Sequence, residues 1–96
     1  MDAAVARFEL HIPVSRSLKA KRAALKPLVE DLRQRFRVSV AEVDHQNAWQ
    51  RTAIAVAVVA PDHTQVQAVL DEVERFVAGA PEADLLETQV TWFEPD

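Results

Sequence analysis

The sequence predicts one α+β domain over residues 1–96, with four strands and two helices in the order β-α-β-β-α-β. Three observations carry that reading. Apolar residues alternate in the first and third of four strand-like segments and recur at helical spacing in two others. Only a few polar or proline-bearing residues separate these segments. The 96 residues are 49% hydrophobic, enough for one packed core without metal or disulfide support.

Ala4, Ala6, Phe8, Leu10 and Ile12 alternate with Arg7, Glu9 and His11, which is a half-buried strand that Pro13 ends. Ser17 then stands where a hydroxyl caps a helix. Leu18, Leu25, Leu28, Val29, Leu32 and Phe36 fall on one face of that helix. Pro27 lies inside the pattern, so a kink or a short first helical piece is expected.

The second strand is "VSVAEVD", where Val43 is out of phase with Val38 and Val40. A bulge near Ala41–Glu42 accounts for the slip. The third strand, "RTAIAVAVVA", puts Ile54, Val56 and Val58 on one face and Ala53, Ala55 and Ala57 on the other. Asp62 caps the second helix and Gly79 stops it, with Val66, Val69, Leu70, Val73, Phe76 and Val77 as the buried stripe. "LLETQVTWF" is the fourth strand.

Each helix crosses between two strands that leave room for a third between them. That arrangement is the ferredoxin-like plait: an antiparallel four-stranded sheet of order 4-1-3-2 with both helices on one face.

Composition narrows the function classes. The chain has no cysteine, which excludes disulfides, thiolate metal sites and a cysteine nucleophile. Its start lacks a basic, apolar secretory pattern, and no apolar run approaches the ~20 residues that span a bilayer. A cytoplasmic protein without a membrane partner is expected. The net charge of −4 conceals an asymmetry, since residues 16–37 hold eight basic side chains against two acidic ones. A basic segment on an acidic body suits a phosphate-bearing or acidic partner.

"FELHIPVSRSLKAKRAALKPL", "RFRVSVAEVDHQNAWQRTAIAVAVV" and "VLDEVERFV" together resemble the YlxP-like family of small bacterial proteins over nearly the whole chain. "SLKAKR" and "SVAEVDHQNAWQR" are the most specific pieces, although Ala20 stands where the family commonly has an acid. The resemblance implies a ferredoxin-like fold and no established catalytic activity. Family genes often lie beside those for translation initiation factor two and ribosome-binding factor A, which implies ribosome assembly or translation.

On this topology His11, His45, Trp49 and Arg51 meet the start of the first helix at one rim of the sheet. Arg16, Ser17, Lys19, Lys21, Arg22 and Arg51 there form a candidate anion site, or a capped helix with solvated cations. Lys19, Arg22, Lys26 and Arg33 share one flank of the helix, as in a surface that follows an RNA backbone; an amphipathic helix with a cationic solvent face reads the same way. Lys21 and Arg35 fall on the other flank.

The open sheet face offers no ring in mid-sheet for stacking bases, so RNA must use the helix or the rim. Its alanines suit close approach of another surface instead, in a homodimer or a hetero-oligomeric interaction module, or tight packing alone. Trp49 is expected as a lid on the core edge, with a stacking or partner contact as the other reading. His11, Asp44 and His45 approach one another too loosely in sequence to argue for a metal, and His63 is expected to be exposed. A single glycine rules out a glycine-rich phosphate loop, and Ser15 and Ser17 lack a nucleophile-elbow context. These features predict no enzyme and no cofactor; the basic helix suits RNA, and the resemblance implies that the partner is ribosomal RNA or a ribosomal subunit.

Overall fold

The structure is a computed structural model in which residues 1–93 are described. Its elements are β1 (Asp2–His11), α1 (Leu18–Phe36), β2 (Ser39–Asp44), β3 (Arg51–Ala60), α2 (His63–Ala78) and β4 (Asp84–Phe93). The sheet is antiparallel throughout, in the order β2-β3-β1-β4. This is the ferredoxin-like order expected from the sequence.

Alternation decides which strand residues meet the helices. Ala4, Ala6, Phe8 and Leu10 of β1 and Ile54, Val56 and Val58 of β3 form one core with Leu25, Leu28 and Leu32 of α1 and Val66, Leu70, Val73 and Val77 of α2. Both helices therefore cover the same face. Burying each of these large side chains contributes roughly 1.5–3 kcal/mol. Phe36 and Phe76 close the helix pair edge-to-face, with ring centroids 5.7 Å apart.

The caps are as expected. The Ser17 hydroxyl accepts from the Ala20 N–H at 3.0 Å, and the Asp62 carboxylate accepts from the Gln65 N–H at 2.9 Å. Gly79 follows the last turn of α2 and donates its N–H to the Arg75 carbonyl.

Three details differ from the sequence reading. Pro27 does not split α1, which runs unbroken from Leu18 to Phe36 with the proline exposed. A proline removes one backbone donor, and the packing of the leucine stripe outweighs that loss. The bulge in β2 falls at Val43, where the register with β3 shifts between Glu42 and Asp44, one residue beyond the expected place. His63 is exposed, yet its ring stacks on Trp92 with centroids 4.0 Å apart. Among the described residues no helix is long and apolar enough to cross a membrane.

Candidate functional site: the β2–β3 rim and the basic flank of α1

The site grows from strand register. Glu9 of β1 lies opposite Ala53 of β3, which in turn lies opposite Asp44 of β2. One rung along, Arg7 lies opposite Ala55. Directly paired residues share a face, so the small alanines of β3 form a floor between two charged strands. Arg7 and Glu9 reach across that floor. Arg7 binds Glu9 Oε1 at 2.8 Å through Nη1 and Asp44 Oδ2 at 3.0 Å through Nη2. Glu9 Oε1 also meets His45 Nε2 at 3.1 Å, and Arg51 Nη2 donates to Glu9 Oε2 at 2.7 Å.

Glu9 is only 7% exposed at the centre of this network. The Arg51 hydrogen bond does most to hold its carboxyl down at about 2, against the opposing effect of burial; His45 and Arg7 help. The same roof leaves Ala53 buried, so the alanine face expected to pair with a second copy is closed at this end.

A second network lies on the helix side of the same rim. Lys21 was expected on an outer flank of α1, but it is 1% exposed. Its ammonium pairs with Glu42 at 3.1 Å and donates to the carbonyls of His45 at 2.8 Å and Arg51 at 3.3 Å. The Thr52 hydroxyl donates to the same Glu42 carboxylate. Buried charge is tolerated here because each donor and acceptor is matched.

The loop between β2 and β3 is thereby braced from both sides. His45 takes a left-handed φ of 59°, with its N–H donating to Asp44 Oδ1 at 2.7 Å. The Gln50 amide donates to the Pro13 and Ser15 carbonyls at 3.2 and 3.1 Å, and the Ile12 N–H donates to the Gln50 carbonyl at 2.9 Å. These bonds tie the β2–β3 loop to the β1–α1 loop.

The residues singled out in the sequence divide accordingly. Arg51 is at the rim, but its guanidinium is engaged by Glu9. His11 faces Asp84 on β4 at 3.4 Å and does not join His45. Ser17 is the α1 cap. Trp49 is 56% exposed and is not a lid. Arg16, Lys19, Arg22, Lys26 and Arg33 are exposed, and among the described residues no carboxylate lies within 4.0 Å of their cationic groups. Arg33 also donates to the Val40 carbonyl at 2.8 Å, tying α1 to the edge strand. Arg22, Lys26 and Arg33 line a groove of about 250 Å³ between α1 and β2, together with Glu42 and the apolar Leu25, Val29, Val40 and Ile54.

The structure brings Glu9, Asp44 and His45 together, with possible ligand atoms within 4.8 Å of one another. That set does not fit a resident metal ion. Both Glu9 oxygens are already bound by guanidiniums, and an added cation would face Arg7 and Arg51 at close range.

Sequence reasoning missed Glu9 and placed Lys21 in the anion site rather than in the buried network. For Lys21 a signal existed: it precedes Leu25, Leu28 and Leu32 by 4, 7 and 11 residues, which puts it on the buried stripe. No comparable signal marked Glu9, because its partners come from other strands.

Comparison with known proteins agrees with this architecture. The family described as a protein of unknown function, DUF503, matches residues 3–90. YlxP of Bacillus subtilis (strain 168), described as uncharacterized, is 36% identical over 77 residues, covering 80% of this chain and 84% of that protein. Among solved structures, the de novo designed protein Foldit4 superposes with a TM-score of 0.53 at 11% identity, covering 98% of this chain and 99% of that one. The designed protein LFR1 1, with ferredoxin fold, also gives 0.53, at 7% identity and covering 97% and 84%. Such low identities speak to fold alone. Fold and sequence together lead to one conclusion: the chain belongs to the DUF503 family, the YlxP-like proteins of unknown function.

Proposed function

We propose that this protein is a non-catalytic, cytoplasmic accessory of the ribosome that binds ribosomal RNA or a ribosomal subunit through the basic flank of α1. The supporting observation is the sorting of its cations. Arg7, Lys21 and Arg51 are each neutralised by a carboxylate, whereas Arg16, Lys19, Arg22, Lys26 and Arg33 are exposed without one among the described residues, as are Arg35, Arg37 and Arg75 outside this group. Structural pairing explains the first group. A polyanion is the partner that suits the second. The acidic remainder of the chain disfavours RNA over most of the other surface, which favours contact at this flank.

The test is co-sedimentation with ribosomal subunits at low and moderate salt. Wild-type protein should travel with a subunit at low salt and release as salt rises, with a log–log slope of about −3 for four phosphate contacts. The Arg22→Glu/Lys26→Glu variant should stay at the top of the gradient. Equal sedimentation of both proteins would refute the proposal.

A homodimer through the open sheet face is the second reading. It is favoured by an exposed apolar patch of Val5, Ala57, Val59 and Phe93 at the end of the sheet away from the rim. Gel filtration with Val59→Asp tests it: a dimer that becomes monomeric supports this reading, and a wild-type monomer rejects it.

A further inference from the structure

We infer that the rim recognises unpaired bases, so that the RNA bound is single-stranded, with Trp49 as the stacking platform. The inference rests on the proposed RNA-binding function and adds the class of RNA. Trp49 leaves 56% of its surface in solvent, in a loop that is not loose.

The bracing of that loop gives the exposure its meaning. The His45 carbonyl accepts from Lys21 Nζ at 2.8 Å and from the Ala48 N–H at 3.0 Å. Gln50 is held at both its side chain and its carbonyl by residues 12–15. A fold that anchors both neighbours of an indole and leaves the ring outside presents a rigid aromatic surface. Ordering such a surface on binding costs little.

The surroundings select the ligand. Gln46 and Asn47 are exposed, and among the described residues their side-chain amides have no hydrogen-bond partner. They offer donors and acceptors for base edges. The Gln50 bonds to the Pro13 and Ser15 carbonyls place this loop beside Arg16, whose guanidinium and the nearby Lys19 and Arg22 can hold phosphates. A stacking ring, free amides and free cations on one rim fit a splayed RNA strand. A duplex hides its base faces and keeps its base edges in a groove side chains cannot read.

Fluorescence separates the possibilities. Trp49 and Trp92 are the two tryptophans of the chain, and Trp92→Phe leaves Trp49 as the reporter. This protein is titrated with a mixed-sequence single-stranded RNA of about twelve nucleotides, and with the same strand annealed to its complement. The single strand should quench Trp49 emission and bind about tenfold more tightly than the duplex. In otherwise wild-type protein with an unchanged far-ultraviolet spectrum, Trp49→Ala should lose about tenfold in single-strand affinity, and Trp49→Phe should retain most of it. Equal binding of both RNAs without quenching, still abolished by Arg22→Glu/Lys26→Glu, would overturn base recognition and leave the backbone-binding function standing. No binding of either RNA or of subunits would overturn both.

Discussion

Arg51 Nη2 lies 2.7 Å from Glu9 Oε2, yet Arg51 is paired in the sheet with His11, and Glu9 with Ala53. The contact is a diagonal one across two neighbouring strands, possible because Ala53 leaves the space beside Glu9 open. It makes the open face a charged lattice at this end and an apolar surface at the other.

Glu9 gives the fold an acid-sensitive contribution. Its carboxyl is held at about 2 in the folded protein against 4.5 unperturbed, so it stabilises the fold above about pH 4.5 and loses that effect as the pH falls toward 2. Glu9→Gln should lower stability at pH 7 by about 2 kcal/mol and flatten the decline between pH 4.5 and 2. Thermal melts by circular dichroism at several pH values decide it. Parallel curves for the two proteins would refute the role.

Lys21 should be among the most sensitive positions. Lys21→Met keeps the apolar stem but removes the only cation paired with Glu42 among the described residues, leaving that carboxylate the Thr52 hydroxyl alone, and takes one donor from each of the His45 and Arg51 carbonyls. The expected loss is about 3 kcal/mol in urea denaturation. Adding Glu42→Leu should recover part of it, since an apolar pair replaces a broken ionic one.

Arg51 and Arg22 should separate cleanly. Arg51→Ala removes the shortest bond to a buried carboxylate and should cost about 1–2 kcal/mol. Arg22→Ala removes an exposed cation without a carboxylate partner among the described residues and should stay within about 0.5 kcal/mol. Urea midpoints of the two single variants provide the comparison.

Trp49→Ala should cost less than about 1 kcal/mol, because the ring is more exposed than buried. A lid would have cost on the order of 2–4 kcal/mol. The same urea series measures it.

Much of the architecture is legible in the chain. Period-two alternation marked β1 and β3, helical spacing marked α1 and α2, and Ser17 and Asp62 stand at the caps they make. The slip at Val43 announced a bulge, although its place was off by one residue. These features depend on a residue's near neighbours, so a linear pattern records them.

The rim needed the tertiary structure. Alternation assigns Arg7 and Glu9 to the polar face but does not say which β3 residue stands opposite, and the Glu9–Ala53–Asp44 alignment follows from register. Lys21 was assigned to a flank of α1 although its spacing to Leu25, Leu28 and Leu32 puts it on the stripe, and only Glu42 and the loop carbonyls, 21 to 30 residues away, supply the partners that let its charge be buried. Trp49 looked like a core lid by composition and is exposed because the bonds around Gln50 fix the loop's direction. Sequence alone determined the elements and the apolar face of β1, β3 and both helices; three-dimensional packing decided which charges are spent on one another and which remain for a partner. The reason is physical. Hydrophobic periodicity is local, whereas charge pairing depends on distances of a few ångströms between residues remote in the chain.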